Sequence, residues 1–225
     1  MTLIVLKLGG ANALGAADTV AELARTHDVC VVHGGGPQIT ARMQVLGLEP
    51  RFIGGRRFTD AATLACVRGG LHDLSTKLAA ALDHRGIKTA PLPDGAVIAA
   101  PVAELGLVGT PTGVDRAVLE AALADGCVPI VSPLARTAAG KLLNVNADDA
   151  AAAIAVALRA DELRFLSNVP GVLDAAGKLL ASVKASAPPA AATGGMVPKL
   201  DACSKALRGG VALVRIGDPG TLVVR

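Results

Sequence analysis

Short, strongly apolar runs recur along the chain, separated by alanine-rich segments with helical spacing. Runs of small apolar residues are typical of strands covered on both faces of a sheet. Strands are predicted at residues 3–8, 29–32, 128–133, 163–166, 211–216 and 221–224, with a short β region at 87–100. Helices are predicted at residues 18–26, 37–46, 61–85, 115–124, 200–207 and in an alanine-rich stretch ending near Leu158, and 182–192 is predicted to be a partly helical connection. Such alternation of strands and helices is typical of an α/β protein.

The composition is that of a globular protein with an aliphatic core. The chain has 225 residues, of which 52% are hydrophobic and 18% charged, with three phenylalanines and neither tryptophan nor tyrosine. The core must therefore be built mainly from Val, Leu, Ile and Ala. A chain of this length buries a large core as one domain or as two closely joined lobes.

Charge and cysteine usage narrow the class of protein. The net charge of +3 and the lack of any Lys/Arg run argue against nucleic acid as a partner and favour an anionic small molecule. The four cysteines show no CxxC pair and are expected to be buried apolar residues in a reducing compartment: Cys30, Cys66, Cys127 and Cys203. No apolar run is long enough to span a bilayer, so we expect a cytoplasmic protein without membrane contact.

A glycine turn follows the predicted strand at residues 29–32. His33 leads into Gly34, Gly35 and Gly36, and Pro37 suits the first turn of a helix. Glycines allow close backbone approach, and the amides at a helix start favour an anion, so this segment predicts an anion cradle. A tight turn without a ligand is the alternative, since one glycine turn is a weak signal.

The first predicted strand carries a second glycine pair and a misplaced charge. Lys7 lies within an otherwise apolar strand that ends at Gly9 and Gly10. An unpaired ammonium group in a core is costly, whereas at the carboxyl end of a parallel strand it faces the crevice where α/β proteins bind ligands. Neither glycine turn has the GxGxxG pattern, which argues against a dinucleotide site.

Three further stretches bring polar groups to predicted turns. The glycine-broken loop at 50–60 contains Arg57, and arginine is suited to gripping a carboxylate, although a solvated basic loop is the alternative. Asn144 to Asp149 hold two asparagines and two aspartates, more than a helix cap requires. Gly194 and Gly195 deliver Lys199 to a helix start.

These residues together favour phosphoryl transfer. No Ser-His-Asp or Cys-His set is present, His33 is expected to be a hydrogen-bonded structural residue, and the four histidines have no metal-ligand spacing. Lys7 and Lys199, with Asp148 to orient both ammonium groups, would neutralise phosphate charge, which is the main requirement of that reaction.

Six motifs occur in an order that closely resembles the amino-acid kinase family, and within it the N-acetylglutamate kinases of arginine biosynthesis. The resemblance covers nearly the whole chain and rests on Lys7-Leu8-Gly9-Gly10, His33-Gly34-Gly35-Gly36-Pro37, Gly55-Arg56-Arg57-Phe58-Thr59, Asn144-Val145-Asn146-Ala147-Asp148, Ser167-Asn168-Val169-Pro170-Gly171-Val172 and Gly195-Met196-Val197-Pro198-Lys199. It implies a three-layer αβα sandwich around a mainly parallel, eight-stranded sheet. It also implies one domain over 1–225, with an acceptor-binding lobe at about 1–140 and a nucleotide-binding lobe at about 141–225.

The resemblance implies ATP-dependent phosphorylation of the γ-carboxylate of N-acetyl-L-glutamate, the second step of arginine biosynthesis. The family's catalytic residues fall on Lys7, Lys199 and Asp148. Its nucleotide and phosphate contacts fall on Gly9, Gly10, Gly35, Ser167, Asn168, Gly171, Gly195 and Met196, and its acceptor contacts on Gly34, Gly35, Arg57 and Asn144. Mg²⁺ in the family is held largely by nucleotide and water, so no protein metal ligand is predicted.

Departures from the family pattern keep alternatives open. The segment at 91–107, which forms an acceptor lid in relatives, is short. Asn168 stands where acetylglutamate kinases commonly have an aspartate, and in this it resembles the carrier-linked aminoadipate or glutamate kinases, whose partner is an acidic carrier protein. Arg51, Arg56 and Arg68 are compatible with such a carrier. A non-catalytic nucleotide or amino-acid sensor on the same fold is disfavoured by the intact lysines and Asp148. No extra helix precedes the first strand, so we expect a homodimer that is insensitive to arginine.

Overall fold

The computed structural model describes residues 1–166, 169–187, 189 and 194–225. Strands in these ranges are β1 (Leu3–Leu8), β2 (Asp28–His33), β3 (Phe52–Ile53), β4 (Arg56–Arg57), β5 (Thr89–Leu92), β6 (Val97–Pro101), β7 (Val108–Val114), β8 (Val128–Val131), β9 (Leu134–Arg136), β10 (Leu142–Val145), β11 (Glu162–Leu166), β12 (Ser182–Lys184), β13 (Leu213–Ile216) and β14 (Thr221–Val224). Helices are α1 (Ala17–Ala24), α2 (Gly36–Val45), α3 (Ala61–Asp83), α4 (Arg116–Ala124), α5 (Ala147–Ala157) and α6 (Met196–Arg208). Short 3₁₀ turns lie at Gly10–Asn12 and Ala103–Leu105.

A central sheet of eight strands organises the described part of the chain. Its strand order is β12-β14-β13-β11-β1-β2-β8-β5. The pair β13–β14 is antiparallel and the other neighbouring pairs are parallel. This confirms the predicted mainly parallel, eight-stranded sheet, with β1 and β2 near its middle.

Helices cover both faces of the sheet, as the alternation of side chains in β1 shows. Ile4, Leu6 and Leu8 belong to the buried cluster that includes α1 and α3. Val5 belongs to the larger cluster, which includes α5 and α6 on the opposite face. Because successive residues of a strand point to opposite faces, Lys7 lies on the same face as Val5. The result is the expected three-layer αβα arrangement.

Two smaller sheets lie beside the central one. Strands β10, β7, β6 and β9 close into a small barrel, and β7 packs against α5. Strands β3 and β4 form a hairpin in which Ile53 pairs with Arg56. Gly54 and Gly55 form its turn with φ of 55° and 76°, the left-handed values that a two-residue type I′ hairpin turn requires. The loop predicted at 50–60 is therefore partly a hairpin.

The structure corrects two expectations near the carboxyl end. Ser182–Lys184 is not helical but forms β12, which pairs in parallel with β14 and buries Val183. Three residues are too few to show a period in sequence, so only the pairing reveals this strand. Helix α6 begins at Met196 rather than at Leu200, which places Lys199 in its first turn.

Helix α3 is the longest, with 23 residues. Asp60 caps it, since its side chain accepts a 2.8 Å hydrogen bond from the backbone N–H of Thr63, as expected for a residue before a helix. Its exposed face carries charged residues such as Arg68 and Asp73. Across the described residues, no helix combines the length and apolar character needed to cross a bilayer.

Candidate active site

Lys7 reaches the edge of the sheet where the glycine turns lie. It is next to last in β1, on the face covered by α5, and its side chain is 12% exposed. Its Nζ lies 2.7 Å from Oδ1 of Asp148. The ammonium group that is out of place in an apolar strand is therefore paired at the carboxyl end of that strand.

Asp148 is held by the start of α5. Oδ1 of Asn146 accepts hydrogen bonds from the backbone N–H of Asp148 at 2.8 Å and of Asp149 at 3.1 Å, so Asn146 is the N-cap. This cap fixes the first helical turn. Asp148 then points toward β1, whereas Asp149 points outward and pairs with Lys205 at 2.8 Å. Adjacent aspartates thus take separate roles because the helix separates their directions.

Lys199 approaches the same carboxylate from α6. Its Nζ lies 3.1 Å from Oδ2 and 3.2 Å from Oδ1 of Asp148, and its side chain is 9% exposed. The Nζ also lies 4.9 Å from the centroid of the Phe165 ring, within the range of a cation–π contact. Two ammonium groups therefore share one carboxylate, and the cluster keeps an excess of positive charge.

The pKa values follow from this shared contact. Burial alone raises the pKa of the Asp148 carboxyl, but the charges of Lys7 and Lys199 outweigh burial, and the pKa lies below its usual value. Burial lowers the pKa of Lys199, and the nearby Lys7 lowers it further, while Asp148 opposes both. A buried, positively charged site with an ionised aspartate at its centre results.

The two glycine turns meet backbone to backbone. A Cβ on Gly10 would lie 2.9 Å from Cα of Gly35, closer than real Cβ contacts. The N–H of Gly34 donates a 2.8 Å hydrogen bond to the carbonyl of Leu8, which ties the two strand ends together. Only glycine at position 10 permits this close approach. The backbone groups of both turns are therefore available to one ligand.

Two clefts meet at this junction. The larger has a volume of about 790 Å³ and is lined on the C-terminal side of the sheet by Gly9, Asp148, Gly171, Gly195, Met196 and Lys199. The smaller, of about 260 Å³, is lined by Gly34, Gly35, Arg56, Arg57, Asn144 and Asn146. Both clefts are lined by Lys7 and Gly10. Ligands in the two clefts would therefore face each other across these two residues.

Arg57 is buried at the wall of the smaller cleft. Its Nη2 donates to Oγ1 of Thr40 at 2.8 Å, and its Nη1 contacts Sδ of Met43 at 3.2 Å. Its guanidinium stacks over the Phe52 ring, 4.8 Å from the centroid. Burial lowers the pKa of Arg57 from its ordinary value, but an arginine remains charged at neutral pH. A held, desolvated guanidinium is well suited to an anionic ligand group.

Asn144 lines the same cleft from β10. Its Nδ2 donates a 3.1 Å hydrogen bond to Oγ1 of Thr59, which in turn donates to the carbonyl of Arg57 at 3.0 Å. The amide group is therefore oriented by the end of the hairpin that carries Arg57. Asn144 and Arg57 are coupled through the buried Thr59, which the sequence placed in a motif without indicating this linking role.

His33 lies behind the glycine turn as a neutral, buried residue. Its Nδ1 contacts the carbonyl of Gly34 at 3.3 Å, so this nitrogen carries the hydrogen, and its Nε2 accepts from Ser75 at 2.7 Å. Burial lowers the pKa of His33 to about 4. The expectation of a hydrogen-bonded structural histidine agrees with this geometry.

The structure brings the predicted residues together in two groups. The proposed nucleotide contacts Gly9, Gly171, Gly195 and Met196 line the larger cleft, and Gly34, Gly35, Arg57 and Asn144 line the smaller. Ser167 and Asn168 lie outside the described residues. Asn146 and Arg56 also line the smaller cleft. The sequence indicated Asn146 only through its place at a predicted helix start, and Arg56 only through its place beside Arg57. The roles of all these residues stay predictions.

Among the described residues, no group of three His, Cys, Asp or Glu side chains could hold a metal ion. The carboxylate at the junction, Asp148, is already shared by two ammonium groups.

An α/β fold with two clefts that meet at paired lysines and an aspartate defines a class of protein suited to transferring an anionic group between two ligands. The sequence profile of the Amino acid kinase family matches residues 2–218. The chain is 42% identical to an acetylglutamate kinase of Koribacter versatilis, over 95% of this chain and 89% of that protein. It is 38% identical to one from Jannaschia sp., over 96% and 81%. The chain belongs to the amino acid kinase family.

Solved structures agree on the fold. The crystal structure of smu.665 from Streptococcus mutans UA159 superposes with a TM-score of 0.89 at 30% identity, and the match covers 99% of this chain and 98% of the other. Carbamate kinase from Giardia lamblia, at 15% identity and a TM-score of 0.75, shares the fold alone. The architecture is thus retained across large sequence divergence.

Proposed function

We propose that this protein is an acetylglutamate kinase, which uses ATP to phosphorylate the γ-carboxylate of N-acetyl-L-glutamate in the second step of arginine biosynthesis. The observation that carries the proposal is the meeting of two clefts at Lys7 and Gly10, with Asp148 and Lys199 beside them. The acetylglutamate kinases that this chain resembles at up to 42% identity supply the choice of acceptor.

The nucleotide would occupy the larger cleft and the acceptor the smaller. An oxygen of the γ-carboxylate then bonds to the γ-phosphorus of ATP as the bond to the β,γ-bridging oxygen breaks, and ADP leaves. A carboxylate is already ionised at neutral pH, so no general base is required. This accounts for a site whose histidine is buried and neutral.

The main obstacle in this reaction is repulsion between two anions. Lys7, shared by both clefts, would contact the transferring phosphoryl group, and Lys199 would neutralise charge that develops on ADP. Asp148 holds both ammonium groups in place, so they need little reorganisation during the reaction. Amides of the Gly10 and Gly35 turns would donate to the phosphoryl oxygens.

The acceptor would be oriented by the far wall of the smaller cleft. We assign the α-carboxylate to the guanidinium of Arg57, and the acetamido group to the amide of Asn144. Both side chains are fixed before any ligand arrives, through Thr40 and Thr59. Pre-oriented contacts of this kind reduce the entropy cost of aligning the carboxylate with the phosphorus.

Mg²⁺ is part of this proposal. The donor set fits an ion held by nucleotide phosphates and water, because Asp148 is engaged by Lys7 and Lys199. When bound, Mg²⁺ would neutralise phosphate charge. The protein's own residues would position the nucleotide that carries it.

The test is turnover with free N-acetyl-L-glutamate. ADP release is measured with Mg-ATP, and the acyl phosphate is trapped with hydroxylamine. We expect turnover that disappears when the acceptor is omitted or when Lys199→Met replaces the wild type. Absence of turnover by a protein that still binds ATP would contradict the proposed acceptor, and the next assay would supply an acidic carrier protein bearing aminoadipate or glutamate.

The surface gives that carrier-linked alternative little support. Arg68 is paired in bidentate fashion with Asp94, at 2.8 and 3.1 Å. Arg56 points inward and donates to the carbonyl of Gly109 at 2.8 Å. Arg56 is thus engaged within the protein, while Arg68 stays on the exposed face of α3 but is paired with Asp94.

We also propose that the protein is a homodimer. Exposed apolar side chains at the end of α2 and on the neighbouring hairpin, Val45, Leu46, Phe52 and Ile53, are a surface that a second copy could cover. Mass photometry tests the proposal directly, and a monomer or a hexamer at micromolar concentration would contradict it.

A further inference from the structure

Gln38 lies in the first part of α2 and reaches back to the other glycine turn. Its Nε2 donates a 2.6 Å hydrogen bond to the carbonyl oxygen of Gly10. Gln38 lines neither cleft but borders a separate depression between α2 and α3. The side-chain hydrogen bond of Gln38 therefore reaches the clefts through Gly10, which lines both.

The hydrogen bond fixes how the peptide between Gly10 and Ala11 is turned. This peptide is trans, and across a trans peptide the carbonyl and the following N–H point in opposite directions. Gln38 holds the Gly10 carbonyl on the side of α2. The N–H of Ala11 is thereby turned away from Gln38, and Ala11 lines the larger cleft.

Stability alone does not account for an amide at position 38. Oε1 of Gln38 is buried, and no partner for it exists among the described residues. A buried acceptor without a partner lowers stability, whereas an apolar side chain of similar length would avoid that cost. The side chain uses its donor on Gly10 and leaves its acceptor unsatisfied.

We propose that Gln38 is a positioning residue for phosphoryl transfer. It holds the Gly10–Ala11 peptide so that the N–H points toward the phosphoryl group during transfer. The inference rests on the proposed function above. Charge in the transition state spreads over the phosphoryl oxygens, and donors that are already oriented stabilise it without reorganisation. Without Gln38, this peptide unit can rotate and present its carbonyl oxygen to those oxygens instead.

The test compares Gln38→Met with Gln44→Met, a matched control on the exposed side of the same helix. For Gln38→Met we expect kcat to fall about 10- to 100-fold, while KM for ATP and for the acceptor stays within about twofold. Its melting temperature should stay close to that of the wild type, because removal of the unsatisfied Oε1 offsets loss of the hydrogen bond to the Gly10 carbonyl. The control should match the wild type in all three measurements.

Gln38→Glu separates the donor from the volume of the side chain. The introduced carboxylate has nearly the shape of glutamine but faces the Gly10 carbonyl with an acceptor, so kcat should fall at least as far as in Gln38→Met. A kcat of Gln38→Met within twofold of the wild type would overturn the inference. So would a loss of kcat that comes with a lower melting temperature and equally weakened binding of both substrates.

A second measurement needs no acceptor. Mg-ADP with aluminium fluoride mimics the planar phosphoryl group of the transition state. Its affinity therefore reports the contacts that the protein makes with that group in the transition state. Gln38→Met should bind this mimic about tenfold more weakly or worse, with ADP affinity unchanged. Equal binding of the mimic by the variant and the wild type would overturn this inference but leave the proposed function unaffected. A wild type that binds the mimic but does not turn over N-acetyl-L-glutamate would contradict only the proposed acceptor.

Discussion

Lys7 and Asp148 lie 2.7 Å apart, although one belongs to the first strand and the other to a helix in the second half of the chain. The same carboxylate holds Lys199 at 3.1 Å. Without Asp148, two buried ammonium groups would repel each other and lose their common orientation. The aspartate is thus both the structural link and the electrostatic balance of the site.

Asp148→Asn should lower kcat by about 100-fold or more, because both lysines lose the charge that orients them. Affinity for ATP should fall much less, since the positive charge near the phosphates is retained. Steady-state ADP release and equilibrium binding of an ATP analogue measure the two effects.

Asp149→Asn is the matched control for that variant. Asp149 is the next residue of α5 and also pairs with a lysine, Lys205 at 2.8 Å, but on the outer side of the helix. Its loss should leave kcat within about twofold of the wild type. Equal losses in the two variants would show that general disruption of α5, rather than orientation of the lysines, is responsible.

Lys199→Met should abolish most turnover while the fold is kept. The methionine retains the apolar stem and a favourable contact with Phe165 but removes the charge. We expect kcat to fall about 100-fold or more with a small change in acceptor KM. Lys205→Met on the same helix, whose ammonium group pairs with Asp149 and Asp201, is the control. If turnover of Lys199→Met stayed near the wild-type value, Lys199 would have no part in the mechanism.

The sequence revealed the chemistry of this site better than its geometry. Lys7 was conspicuous as a charge within an apolar strand. Asp148 was conspicuous because residues 144–149 hold more asparagines and aspartates than a helix cap requires. Their contact, however, depends on the packing of α5 against β1, which no local pattern encodes. Lys199 was expected immediately before a helix that starts at Leu200, whereas α6 begins at Met196 and carries Lys199 in its first turn.

Other contacts had no sequence signal. Thr59 was expected only as part of a motif, yet it accepts from Asn144 and donates to the carbonyl of Arg57. Gln38 donates to the backbone of Gly10, and all these contacts depend on tertiary structure. Strand β12 has three residues and is defined by its pairing with β14. The sheet was predictable because apolar runs are long enough to show a pattern. The sharing of Asp148 by Lys7 and Lys199 was also expected and is present, whereas contacts of single polar side chains with distant backbone groups were not predictable.

Arg57→Ala should act chiefly on acceptor binding. Hydrogen bonds to a charged group contribute about 1.5–3 kcal/mol, so we expect acceptor KM to rise about 10- to 100-fold while kcat changes much less. Arg51→Ala is the control, because Arg51 stacks on Phe58 and lines neither cleft. A fall in kcat without a change in acceptor KM would refute the assigned role.

The lowered pKa of His33 predicts how the stability of the protein depends on pH. Burial lowers its pKa from 6.5 to about 4, so below pH 6.5 the unfolded chain takes up a proton that the folded protein does not. The free energy of unfolding should therefore decrease as pH falls from 6.5 to 4, by about 3 kcal/mol from this residue. In urea unfolding at several pH values, His33→Gln should show a shallower decrease over this window, because glutamine does not titrate. His84→Gln, at the exposed end of α3, should keep the wild-type slope. Identical slopes for His33→Gln and the wild type would mean that the ring of His33 takes up its proton equally in the folded and unfolded states.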